Sequence, residues 1–176
     1  EWIELDIANP LIAGYATYVF ANQADVLINA RHAADAVGAT KMDRPEWGAV
    51  NPANGEIYFT MTNSNAASRP VAGTNAANPR SYADNDGRNQ TGNPNGHIVR
   101  FKETAGASTA TSFTWDIFLF GAESDAGADI NLSGLTAKND FSSPDGLWFS
   151  KATGICWIQT HDGAYTDQSN SMLLAG

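Results

Sequence analysis

Residues 144–150, Pro-Asp-Gly-Leu-Trp-Phe-Ser, are followed by the turn Lys151-Ala152-Thr153-Gly154 and then by residues 155–160, Ile-Cys-Trp-Ile-Gln-Thr. The pair reads as an aromatic-rich β-hairpin. Asp145 opens its first strand, and Gly146 allows a ligand or a neighbouring strand to come close to the backbone. A Pro-Asp-Gly entry, a tight turn and a second aromatic strand are how the inner hairpin of a propeller blade is commonly written. The scarcity of helix elsewhere fits a β-sandwich as well as a propeller. The hairpin tips the reading toward a propeller.

Working outward, Glu56–Asn63 alternates Ile57, Phe59 and Met61 against Tyr58, Thr60 and Thr62, as a strand does, and follows the Asn54-Gly55 turn signal. His97–Glu103 reads as another strand. Ser112–Phe120 is a further one, with aromatics on both faces, which predicts burial on both. Val26–Ala39 is the one convincing helix, with Val26, Ala30, Ala33, Ala34 and Val37 at helical spacing and Gly38 as a stop. Residues 64–96 are rich in Asn, Ala, Gly, Pro and Ser and nearly lack large apolar side chains. They are expected to be the least ordered part of the fold, because little burial offsets the entropy of ordering them. The expected class is mainly β, a partial β-propeller with one short helix. The whole of 1–176 is expected to be a single segment of that domain. A blade takes about 40–50 residues, so the chain has room for roughly three to four. It opens on EWIELDIANP without a start methionine and ends on SMLLAG, and the expectation is a piece of a longer protein.

The net charge is −9 and the isoelectric point about 4.5. Nucleic acid and anionic membrane surfaces would repel such a chain, so neither is an expected partner, and cations are the natural alternative. No apolar run approaches the roughly 18 residues of a membrane span. Cys156 is the single cysteine, which excludes an internal disulfide and any Cys-x-x-Cys zinc site. Its apolar neighbours Ile155, Trp157 and Ile158 predict a buried, unliganded thiol.

Met42-Asp43-Arg44-Pro45-Glu46-Trp47 gathers two acids, an arginine and a tryptophan around a proline. Proline fixes its own φ and restricts Arg44, so Glu46 leaves a stiffened backbone with Trp47 as an anchor. A carboxylate placed in advance suits a hard cation, and a structural turn is the competing reading. Asp145 is a second candidate ligand, against the alternative of a turn-capping acid. Arg80 and Arg100 are two of only ten cationic side chains. Each could pair with a carboxylate or grip a substrate anion bidentately. No Walker loop, GxGxxG, GxSxG or HExxH occurs, and His32, His97 and His161 have no ligand spacing.

Taken together, KMDRPEW, NPANGEIYFTMTN, NPR, GHIVRFKE, FSSPDGLWFS and GICWIQT stand in the order seen in PhoX-type alkaline phosphatases. The chain resembles that family from about Val26 onward. The resemblance implies an exported, six-bladed propeller, periplasmic or secreted, that hydrolyses phosphate monoesters with calcium and iron ions in its central channel. It implies Glu46, Glu103 and Asp145 as metal ligands and Arg100 or Arg80 as the phosphate-binding arginine. Three departures accompany it. The family's Thr-Cys-Glu-Glu motif is missing, the asparagine pair after the TMT strand reads Asn63-Ser64-Asn65, and the blades are too few to close a ring. Activity is therefore expected of the parent protein and not of this segment, and any oligomer would form through exposed strand edges. A calcium-dependent propeller lactonase or esterase, or a non-catalytic binding propeller, are the alternatives.

Overall fold

The computed structural model describes residues 1–65, 74–84, 91–161 and 171–176. The chain divides into two compact units, Glu1–Lys41 and Met42–Gly176. Strands dominate and helices are short and few.

In the first unit lie α1 (Pro10–Ala13), α2 (Gln23–Ile28) and α3 (Ala30–Ala36). The single helix expected over Val26–Ala39 is thus two helices broken at Asn29. That residue stands at φ −103° and ψ 38°, and its amide donates to Asp25 Oδ1 at 2.7 Å. Asparagine offers the backbone this kind of local alternative, which periodicity alone does not register. Asn22 caps α2 by accepting from the Asp25 amide at 3.0 Å. Ile12, Phe20, Val26 and Ala33 form the core of this unit, with His32 stacked on Tyr18 at its margin.

Among the described residues the second unit holds ten strands. β1 (Pro45–Val50), β2 (Ile57–Met61), β6 (His97–Glu103) and β7 (Phe113–Phe120) form an antiparallel sheet in the order β1-β2-β6-β7. β8 (Pro144–Phe149), β9 (Cys156–Thr160) and β10 (Leu173–Ala175) form a second, in the order β10-β9-β8. β8 lies against β1 and β2. Between the sheets Tyr58 and Ile98 of the first pack with Leu147, Phe149, Cys156 and Ile158 of the second. Cys156 is buried there, as its apolar neighbours predicted, and burial pushes its thiol up to about 11. β7 departs from expectation. It is an edge strand, and Thr114, Trp115 and Asp116 are exposed, because aromatics on both faces also suit an uncovered edge.

β3 (Ser64–Asn65), β5 (Thr91–Asn93) and β4 (Tyr82–Ala83) make a small third sheet within the long polar stretch. Of that stretch, 66–73 and 85–90 lie outside the described residues. The described remainder is not a loose loop, since Ser64, Asn78, Arg80, Asn93 and Asn95 are all buried. Here hydrogen bonding replaces apolar burial as the source of order. Asn93 is the hub. Its amide donates to Asp43 Oδ2 at 3.2 Å and to His97 Nδ1 at 2.9 Å, and its carbonyl accepts from Arg80 at 2.8 Å. With Nδ1 accepting, His97 carries its proton on Nε2 and donates it to the Ala77 carbonyl at 2.7 Å.

The two larger sheets repeat one device. Pro45 pairs with Met61, Gly48 with Phe59, Ala49 with Tyr58 and Val50 with Ile57. Pro144 pairs with Thr160, Leu147 with Ile158, Trp148 with Trp157 and Phe149 with Cys156, at one constant offset in sequence. Both registers shift just after the proline. Both turns close with the same bonds, Gly55 N to Asn51 O and Asn51 N to Glu56 O in one, Gly154 N to Ser150 O and Ser150 N to Ile155 O in the other. Gly55 and Gly154 take φ of 73° and 75°. The hairpins are two copies of one unit.

Candidate functional site

The repeat extends to the residues before each strand. Arg44 and Ser143 both stand in the left-handed region, at φ 50° and 54°, and each is followed by proline and then an acid. A left-handed non-glycine residue is uncommon and costs energy, so its surroundings must hold it there. Here the backbone does part of that. The Arg44 carbonyl accepts from the Thr62 amide at 3.2 Å, and the equivalent Ser143 carbonyl accepts from the His161 amide at 2.9 Å. Glu46 and Asp145 therefore leave equivalent openings, each in the bulge that follows its proline.

Threonine hydroxyls of β2 join the two openings. Thr60 Oγ1 accepts from the Trp47 amide at 2.9 Å and donates to the Asp145 carbonyl at 2.7 Å. Thr62 Oγ1 donates to the Pro144 carbonyl at 2.9 Å. Bulged strands leave backbone groups without ladder partners, and these hydroxyls supply them. Glu46 and Asp145 thus emerge on adjoining strands, with their side chains each 39% exposed. Around them stand Arg44, whose Nη2 lies 3.5 Å from Glu46 Oε1, and His161, whose Nδ1 lies 3.7 Å from Asp145 Oδ2.

The other expected site residues lie elsewhere. Glu103 ends β6, opposite Phe113, whereas the β1 opening lies beside the His97 end of the same sheet. Six residues of strand separate those ends, about 20 Å, so the sheet does not bring Glu103 to Glu46. Arg100 is held by Asp116 across the β6–β7 pair, with Nε to Oδ1 at 2.9 Å, and its guanidinium lies over the Phe118 ring. The carboxylate raises the arginine's pKa further above its ordinary value. Arg80 is 5% exposed. It donates to the carbonyls of Ile130, Gly96 and Gly121 at 2.7–2.9 Å and lies over the Phe120 ring. It fastens three chain segments together.

Among the described residues, no three His, Cys, Asp or Glu side chains stand close enough to hold one ion. Glu46 and Asp145 offer hard oxygen donors, the chemistry calcium takes, while the Cys156 thiol is committed to the apolar core. Sequence reading missed two members of this neighbourhood, Asn63 and His161. The internal match of Arg-Pro-Glu to Ser-Pro-Asp, with Ala53 and Gly55 against Ala152 and Gly154 at the same offset, sets His161 in the place of Thr62, whereas no local signal marks Asn63.

A family model described as alkaline phosphatase PhoX matches residues 1–175. A solved structure of Pseudomonas fluorescens PhoX, in complex with the transition-state analogue vanadate, is 36% identical, with a TM-score of 0.74. The match covers 92% of this chain and 27% of that one, so this chain spans about a quarter of its length. No curated protein matches.

Proposed function

The chain belongs to the PhoX family of alkaline phosphatases, and we propose that it contributes part of a metal-dependent phosphomonoesterase site within a longer, exported protein. The two large sheets are then neighbouring blades of a propeller. The observation that carries the reading is the paired opening. Glu46 and Asp145 leave two copies of one strained entry and are tied together through Thr60.

Glu46 and Asp145 would hold a hard cation, with calcium the best match to oxygen donors. Iron, the other ion the family resemblance brings, would need ligands from outside this pair. When bound, such cations reverse the local negative potential and stabilise charge on the phosphoryl oxygens. Among the described residues Arg44, with its side chain 56% exposed beside Glu46, is the guanidinium best placed to hold the remaining phosphate oxygens. Arg80 and Arg100 would first have to release their carbonyl and carboxylate partners. His161, beside Asp145, can hold or give a proton at Nδ1.

The test is Glu46→Gln in the full-length protein, which keeps the side-chain volume and removes the charge. Turnover of p-nitrophenyl phosphate should fall at least about 100-fold, with loss of bound metal and an unchanged circular dichroism spectrum. Metal content and turnover equal to the parent enzyme would reduce Glu46 to a loop acid.

A further inference from the structure

We propose that Asn63 is a positioning residue that clamps the two strand openings together, so that Glu46 and Asp145 are held as a pair. The inference rests on the cation-site reading above and adds to it the part that sets the geometry. Asn63 is 3% exposed and belongs to neither opening. Its carbonyl accepts from Arg44 Nη1 at 2.8 Å, and its amide donates to Ser143 Oγ at 3.1 Å. Those partners are the two left-handed residues themselves, each two positions ahead of a candidate ligand.

The chemistry suits the task. An amide presents an acceptor oxygen and a donor nitrogen on one rigid plane, so it can address a guanidinium and a hydroxyl at once without adding charge. Ser143 is wholly buried, and Thr62, next to Asn63, holds the Pro144 carbonyl. A sideways shift of the Ser143 opening would therefore break bonds in a region closed to water, where an unmade bond is costly. Thr60 joins the openings through their backbones. Asn63 joins them through the residues that carry the strain.

In the full-length protein, calcium affinity is measured by titration calorimetry, and p-nitrophenyl phosphate turnover is followed against calcium concentration. Asn63→Ala should weaken calcium binding about 10-fold. Turnover at saturating calcium should return toward the parent value, because the ligands themselves are intact. Ser143→Ala removes one arm of the clamp and should move affinity in the same direction. The double variant should lose little more than Asn63→Ala alone. Parent-like calcium affinity in Ser143→Ala overturns the clamp, and does so even if Asn63→Ala fails to fold. Loss of stability in Asn63→Ala with unchanged affinity also overturns it. Glu46→Gln and Asp145→Asn provide the separate check. If they abolish calcium binding while the clamp variants do not, the clamp alone fails. If they leave binding unchanged, the cation-site reading fails and the clamp falls with it.

Discussion

Arg80 shows how differently one residue type can be used in the same chain. In an acidic protein an arginine invites the reading of an anion-binding group, and neither composition nor spacing separates that from a structural role. Its position decides. The guanidinium is buried and spends its donors on the carbonyls of Gly96, Gly121 and Ile130 and on Asn93. The bonds to Asn93, Gly96 and Gly121 are buried, with no water to replace the guanidinium, so Arg80→Ala should cost at least about 3 kcal/mol. Arg80→Lys should recover little of it, because one ammonium cannot reach acceptors spread over three segments. Urea unfolding of the two variants checks this, and a midpoint within error of the parent for Arg80→Lys would show that most of those bonds are dispensable. Arg44, by contrast, stays half open to solvent. Its neighbourhood with Glu46 was legible from the motif, whereas its link to Ser143 through Asn63 was not.

Among the elements, the hairpins were the most legible. Asn54-Gly55, the alternation of 56–63 and the Pro-Asp-Gly entry all lead to strands that are present, because these signals act over a few residues. The Asn29 break and the exposed edge β7 were harder to see. Both depend on what lies, or does not lie, against the element. Gly96 illustrates a constraint set wholly by packing. It stands at φ 67°, and a Cβ there would come within 2.1 Å of the Thr62 carbonyl oxygen and 2.4 Å of that of Met61. Gly96→Ala should therefore destabilise by about 3 kcal/mol or more. Gly55→Ala, at a similar φ of 73° but with nothing within 4 Å, should cost only about 1 kcal/mol. Thermal unfolding of the pair tests the contrast, and equal losses would mean that backbone conformation, not the close approach, governs both.

Over the whole molecule, the seam between the two larger sheets ties stability to alkaline pH. An unfolded cysteine ionises near the ordinary value of 9.0, whereas burial holds Cys156 neutral until about 11. The unfolded state thus loses this proton first. Its contribution to stability is intact below about pH 9 and is lost as pH rises toward 11. Urea midpoints should fall between about pH 9 and 10, before Tyr82, pushed up to about 12 by burial, begins to matter. Cys156→Ala should flatten that part of the profile, and an unchanged slope would assign the loss to other groups. What is written locally in this chain is its β class, its turns, the buried thiol and the two proline–acid openings, since each follows from the chemistry of neighbouring residues. Tertiary structure alone decided that Glu103 stands at the far end of the sheet from Glu46, that Arg80 is enclosed, and that Asn63 reaches both Arg44 and Ser143. Those outcomes depend on strand register and on contacts between residues distant in sequence, and local propensity carries no information about either.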